Sequence, residues 1–98
     1  MNTKAELLTA LINQKIGEII GMGISAENLL DSLLHNDLYL DNLEMICSFD
    51  GRFLQFTSDY EEKQAEFDTR IGIKEAVEFI RITLNDIYHD EQIQEQLS

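Results

Sequence analysis

The stretch Ile73–Leu97 constrains the fold more than any other part of the chain. Ile73, Val77, Ile80, Leu84 and Ile87 recur at alternating steps of four and three, which stacks them on one side of a helix and demands a cover for that side. If the helix continues through His89 and Gln92, then Phe79, Ile82, Ile93 and Leu97 fall on a second side, at about 100° per residue, facing nearly away from the first. A helix over residues 73–97 would be about 37 Å long. That exceeds the width of a compact domain of this size, so its far end is predicted to protrude. The first side needs the rest of the chain. The second needs either the earlier helices, wrapped around it, or another molecule.

The earlier helices announce themselves through their starts. Thr3 with Glu6 three positions on forms a capping box, in which the hydroxyl and the carboxylate each satisfy a backbone amide left open by the first turn. Leu7, Leu8, Leu11, Ile12, Ile16, Ile19 and Ile20 then make a broad apolar stripe. Gly21 and Gly23 can adopt the left-handed backbone that ends a helix, which predicts a stop near Ile20. Ser25 is an N-cap for a second helix, with Glu27 in its first turn and Leu29, Leu30, Leu33 and Leu34 at helical spacing. The short Gly-Met-Gly-Ile link predicts that these two helices are antiparallel neighbours.

The middle of the chain decides the fold class. Residues Leu43–Phe49, the pair Asp50-Gly51 and residues Arg52–Thr57 read as a hairpin, because Asp-Gly supplies the positive φ values of a two-residue turn. Further on, Ala65, Phe67, Thr69 and Ile71 alternate with Glu66, Asp68 and Arg70, the pattern of a half-buried strand, with Tyr60–Lys63 as the second turn. The expectation is an α+β domain in the order α-α-β-β-β-α, with a small antiparallel meander and a long C-terminal helix. The alternative is an all-α helical bundle: Asp41 can cap a short helix carrying Leu43, Ile46 and Cys47, with Glu44 as its capping-box carboxylate. Residues 1–98 suit one domain, with no repeat or linker to divide them.

Charge narrows the choice of function. Nineteen Asp and Glu against seven Lys and Arg give a formal net charge of -12. Such a surface repels phosphate, so direct binding to nucleic acid or to an anionic membrane is disfavoured, and a basic protein is the expected partner. Between Lys15 and Arg52 no basic residue interrupts Glu18, Glu27, Asp31, Asp37, Asp41, Glu44 and Asp50. After Arg81 the same is true of Asp86, Asp90, Glu91 and Glu95. The plainer account is a solvated surface that keeps the protein in solution.

No residue pattern points to chemistry. His35 and His89 stand in no recognisable site, and with Cys47 they are too few and too scattered for zinc. The region Asp37–Gly51 lacks the ligand spacing of a calcium loop, and Cys47 has no basic neighbour in sequence to activate its thiol. Catalytic, cofactor-binding and metal-binding residues are therefore expected to be none. A lone cysteine favours a reducing compartment and hence a cytoplasmic location. The spaced apolar residues of the N-terminus, with Lys4 and Glu6 among them, do not read as a signal peptide, and nothing approaches the roughly 20 apolar residues of a membrane span.

Two functions follow as expectations. The first is a small acidic, non-catalytic protein that inhibits or regulates a basic, nucleic-acid-binding protein by presenting carboxylates where phosphates would sit. The second is a homodimeric structural or adaptor subunit assembled through the C-terminal helix. The expected contact residues are Phe79, Ile82, Asp86, Asp90, Ile93 and Leu97 on that helix, with Glu27 and Asp31 from the base-free run.

Overall fold

The computed structural model describes residues 3–58 and 69–97, with the side chains of the last helix described as far as His89. The fold is α+β, and the described residues form three helices, a four-stranded antiparallel sheet and a long closing helix. Helix α1, Lys4–Gln14, opens on the expected capping box: the Glu6 amide donates to Thr3 Oγ1 at 3.1 Å, and the Thr3 amide donates to Glu6 Oε1 at 3.3 Å. The stripe does not continue straight to Ile20. Lys15, at φ -108° and ψ 10°, interrupts the helix, and a second segment, α2, covers Ile16–Met22. Ile19 is buried while Ile20 is 41% exposed, so the break divides an apolar run that the periodicity alone reads as continuous. The helix ends at Met22, two residues beyond the expected Ile20, with Gly23 in the left-handed conformation (φ 65°) as its cap.

Helix α3, Ala26–His35, starts at Ser25, whose Oγ accepts the Asn28 amide at 3.2 Å. It buries Ala26, Leu29, Leu30 and Leu33 and leaves Leu34 exposed. The expected antiparallel pairing of the first helices gives way to another arrangement. Both α1 and α3 make their main helix contacts with the last helix, α4, Ile73–Leu97, which lies between them.

The strands are β1, Leu38–Leu40; β2, Met45–Phe49; β3, Phe53–Ser58; and β4, Thr69–Gly72, in the order β1-β2-β3-β4. The three expected strands are present, and β1 is an addition too short to show a period of its own. Residues 41–44 form a turn with Glu44 at φ 52°, so the short Asp41-capped helix does not form. The hairpin turn is two residues wider than Asp-Gly alone requires, because Phe49 pairs with Leu54. Asp50 Oδ1 accepts the amides of Arg52 and Phe53, each at 2.8 Å, and Gly51 adopts φ 97°. A shift of two residues leaves every side chain on its intended face. The second turn, Tyr60–Lys63, and the strand residues Ala65 and Phe67 lie outside the described residues.

Alternation then does the sorting. Leu40, Met45, Cys47, Phe49, Leu54, Phe56 and Ile71 turn inward with Ser58, and α1 covers β1, α3 covers β2, and α4 covers β3 and β4. The outer face carries Tyr39, Ile46, Ser48, Phe53, Gln55, Thr57 and Arg70, partly or well exposed. On α4 the fully buried line is Ala76, Ile80 and Leu84, with Val77 and Ile87 half-buried beside it. Ile73 is 39% exposed, because it begins the helix at the rim of the sheet, where its amide donates to Arg52 O at 2.9 Å.

Candidate interaction surface

The base-free run folds into α2, α3, the sheet's first two strands and their turns, and all of its carboxylates reach the surface. Glu18, Glu27, Asp31, Asp37, Asp41, Glu44 and Asp50 are each exposed. Several are held in place. Glu18 meets Lys15 at 3.4 Å, and Asp41 Oδ2 accepts Gln14 Nε2 at 3.2 Å. The Glu27 carboxyl is held below the ordinary glutamate range by its own backbone amide at the start of α3, and then by the Arg81 guanidinium that binds it. Asp50 is lowered in the same sense by the Phe53 and Arg52 amides it accepts. Exposed pairs of this kind add little to stability, so they orient charge more than they hold the fold.

The expected contact residues do not all come together. Glu27 and Asp31 stand one turn apart on α3, both exposed, but Glu27 is already bound to Arg81. On α4, Phe79 is half-buried and packs against the protein's own core, whereas Ile82 is 56% exposed on the outward line, where the charged Asp86 is exposed as well. The second apolar side is thus partly covered from within. The side chains of Asp90, Ile93 and Leu97 lie outside the described residues, although the helical backbone continues to Leu97.

Two features escaped the sequence. One is Arg81, which ties α4 to the first turn of α3 across 54 positions. The other is the groove on either side of that tie. Toward the start of α4 it has a volume of about 500 Å³, with Ile73 and Val77 among the lining residues and Lys74, Glu78, Glu27 and Arg81 supplying its charge. Beyond Arg81 it continues as a smaller recess of about 250 Å³ beside Gly23, Leu84 and Tyr88. Tyr88 Oη closes this end by donating to Ile19 O at 3.0 Å.

Burial, and secondarily the charge of Asp37, pushes the Cys47 thiol up to about 12, so at neutral pH it stays protonated inside the core. Both histidines are exposed, and among the described residues no group of three or more His, Cys, Asp or Glu is placed to hold a metal ion. Among those residues, too, no helix is long and apolar enough to cross a membrane. The chain matches no protein-family model, and comparison with curated proteins and with solved structures returns no match.

Proposed function

We propose that the protein is a non-catalytic acidic interaction module that inhibits or regulates a basic, nucleic-acid-binding protein. One observation carries this reading: seven carboxylates of the base-free run, from Glu18 to Asp50, are all exposed, on helices α2 and α3 and in the turns beside β1 and β2. Carboxylates fixed in this way can occupy the positions that phosphates take on a basic surface, and they do so without the entropy a flexible acidic tail would lose on binding. The test is capture of the partner at about 50 mM salt, followed by affinity measurements up to about 300 mM, a range over which screening shortens from beyond 10 Å to well under it. Affinity should fall steadily with salt, and the double change Asp31→Lys with Asp37→Lys should weaken it further. Recovery of no basic protein, or an affinity indifferent to salt, would refute the reading.

A second reading, a homodimeric structural or adaptor subunit, is favoured by the length of α4. Tyr88 ties it to the body through Ile19 O, and the helical backbone runs on to Leu97. At about 37 Å the helix exceeds the width expected of a domain this small, which favours contact with a second copy.

A further inference from the structure

Helix α2 is held closed by a narrow margin. Gly17 and Gly21 stand one turn apart on it, and nothing in the fold requires glycine at either: neither has a positive φ, and a Cβ added at either would meet no atom within 4 Å. Each nevertheless weakens a seven-residue helix relative to alanine, because glycine has more backbone freedom to lose. The start of α2 has no side-chain cap, whereas Thr3 caps α1 and Ser25 caps α3. With Lys15 breaking its continuity with α1, a helix this short depends on its anchors. These are few. Of its seven residues Ile19 alone is buried, Ile16 is half-buried against the core, and Gly17, Glu18, Ile20, Gly21 and Met22 are exposed. The remaining anchor is polar. Ile19 O accepts the amides of Gly23 at 2.9 Å and Ile24 at 3.3 Å, which close the helix end, and also the Tyr88 hydroxyl at 3.0 Å, which comes from α4.

We infer that α2 is a latch that opens ahead of the rest of the fold, with the Tyr88 hydroxyl as its catch. The body has its own support: the ladder from β1 to β4, and the packing of α1 and α3 on α4 and the sheet, do not run through α2. Ile12 before the segment and Ala26 after it are buried, so it opens as a loop between two fixed points. Opening of this kind is local unfolding, and it proceeds without loss of the core. It changes what the surface offers. Gly23 and Ile24 form one wall of the recess of about 250 Å³ in which Leu84 and Tyr88 stand. When α2 unwinds, that wall moves away, Tyr88 loses its acceptor, and Leu84, which is 4% exposed in the closed molecule, is bared. The two states differ in whether this apolar part of α4 can be reached.

Amide hydrogen exchange of the full chain, followed residue by residue by NMR in rising urea below the unfolding midpoint, tests this, with circular dichroism as the check on folding. The Ile19 and Gly23 amides, both hydrogen-bonded in the closed molecule, should be protected about 100-fold less than the amides of β3, which lies between β2 and β4. Their exchange should also depend little on urea, since a local opening exposes little surface. Gly17→Ala with Gly21→Ala, both at exposed positions, should slow the α2 amides roughly 20-fold. Tyr88→Phe, which keeps the ring and removes the catch, should quicken them about two- to tenfold. Exchange in α2 as slow and as urea-dependent as that of β3 overturns the independent opening. Exchange indifferent to the two alanines overturns the weakness assigned to the glycines, and a Tyr88→Phe protein that exchanges at the native rate overturns Tyr88 as the catch.

Discussion

Ile80 and Ile82 are two residues apart on α4 and differ in almost nothing but the direction they point, so replacing each with alanine isolates the inward line from the outward one. Ile80 is 0% exposed, against the core formed by the sheet and the flanking helices, and Ile82 is 56% exposed. Truncating a buried isoleucine to alanine costs about 2–5 kcal/mol, through lost transfer energy and the cavity left behind. With an unfolding entropy of about 2.1 cal/mol/K per residue, the 98-residue chain changes Tm by roughly 5 °C for each kcal/mol, so Ile80→Ala should lower Tm by roughly 10–25 °C. Ile82→Ala removes carbon atoms that water already reaches and improves helix propensity slightly, so its effect should stay within about 0.5 kcal/mol, or roughly 2–3 °C. Far-ultraviolet circular dichroism during heating reads both, at a protein concentration low enough to keep copies apart. Comparable losses at the two positions, or a larger loss at Ile82, would refute the assignment of inner and outer lines and with it the sheet-side packing of α4.

Two further tests use protonation. The Cys47 thiol is raised by burial from an ordinary 9.0 to about 12, so its contribution to stability is intact below about pH 9 and is lost as pH rises toward 12. Native protein should lose up to about 4 kcal/mol more over that range than Cys47→Ala does, measured by urea unfolding, and a thiol reagent should label Cys47 at the rate of unfolding. Asp50 is lowered below its usual 3.8 by the amides it accepts, so its contribution is present above that pH and is lost as pH falls through the lowered value. Asp50→Ala should lower Tm at pH 7 and flatten the acid limb, whereas Asp50→Asn, which keeps an acceptor, should lower Tm less; an equal loss in both would show that the turn does not depend on those two amides.

What the sequence disclosed was local. Thr3 with Glu6, and Ser25, mark helix starts because capping depends on residues three apart, and both caps stand where they were expected. The strands over Met45–Phe49 and Phe53–Ser58 follow from alternation and an Asp-Gly turn. The break at Lys15 leaves no such mark, since neither proline nor a cap signals it and the apolar stripe runs across it. Strand β1, three residues long, has no room to display a period. Angular position on α4 was readable from spacing, but which neighbour fills each angle was not. Phe79 is half-buried because the core reaches round to it, and Glu27 is engaged because α3 places it against Arg81. The candidate groove was hidden for the same reason, as it takes shape only when the start of α4 is brought against α3.

The meander and α4 also set an order of events as the chain is made. Each strand pairs with its neighbour in sequence, so the sheet can assemble quickly once β4 has emerged. Leu54, Phe56 and Ile71, however, face the helix that follows, and until Ala76, Ile80 and Leu84 arrive the inner side of β3 and β4 has no roof. A chain whose α4 has yet to dock would therefore hold out an aromatic, sticky half-domain, and it is at this stage of folding that a chaperone would be most needed.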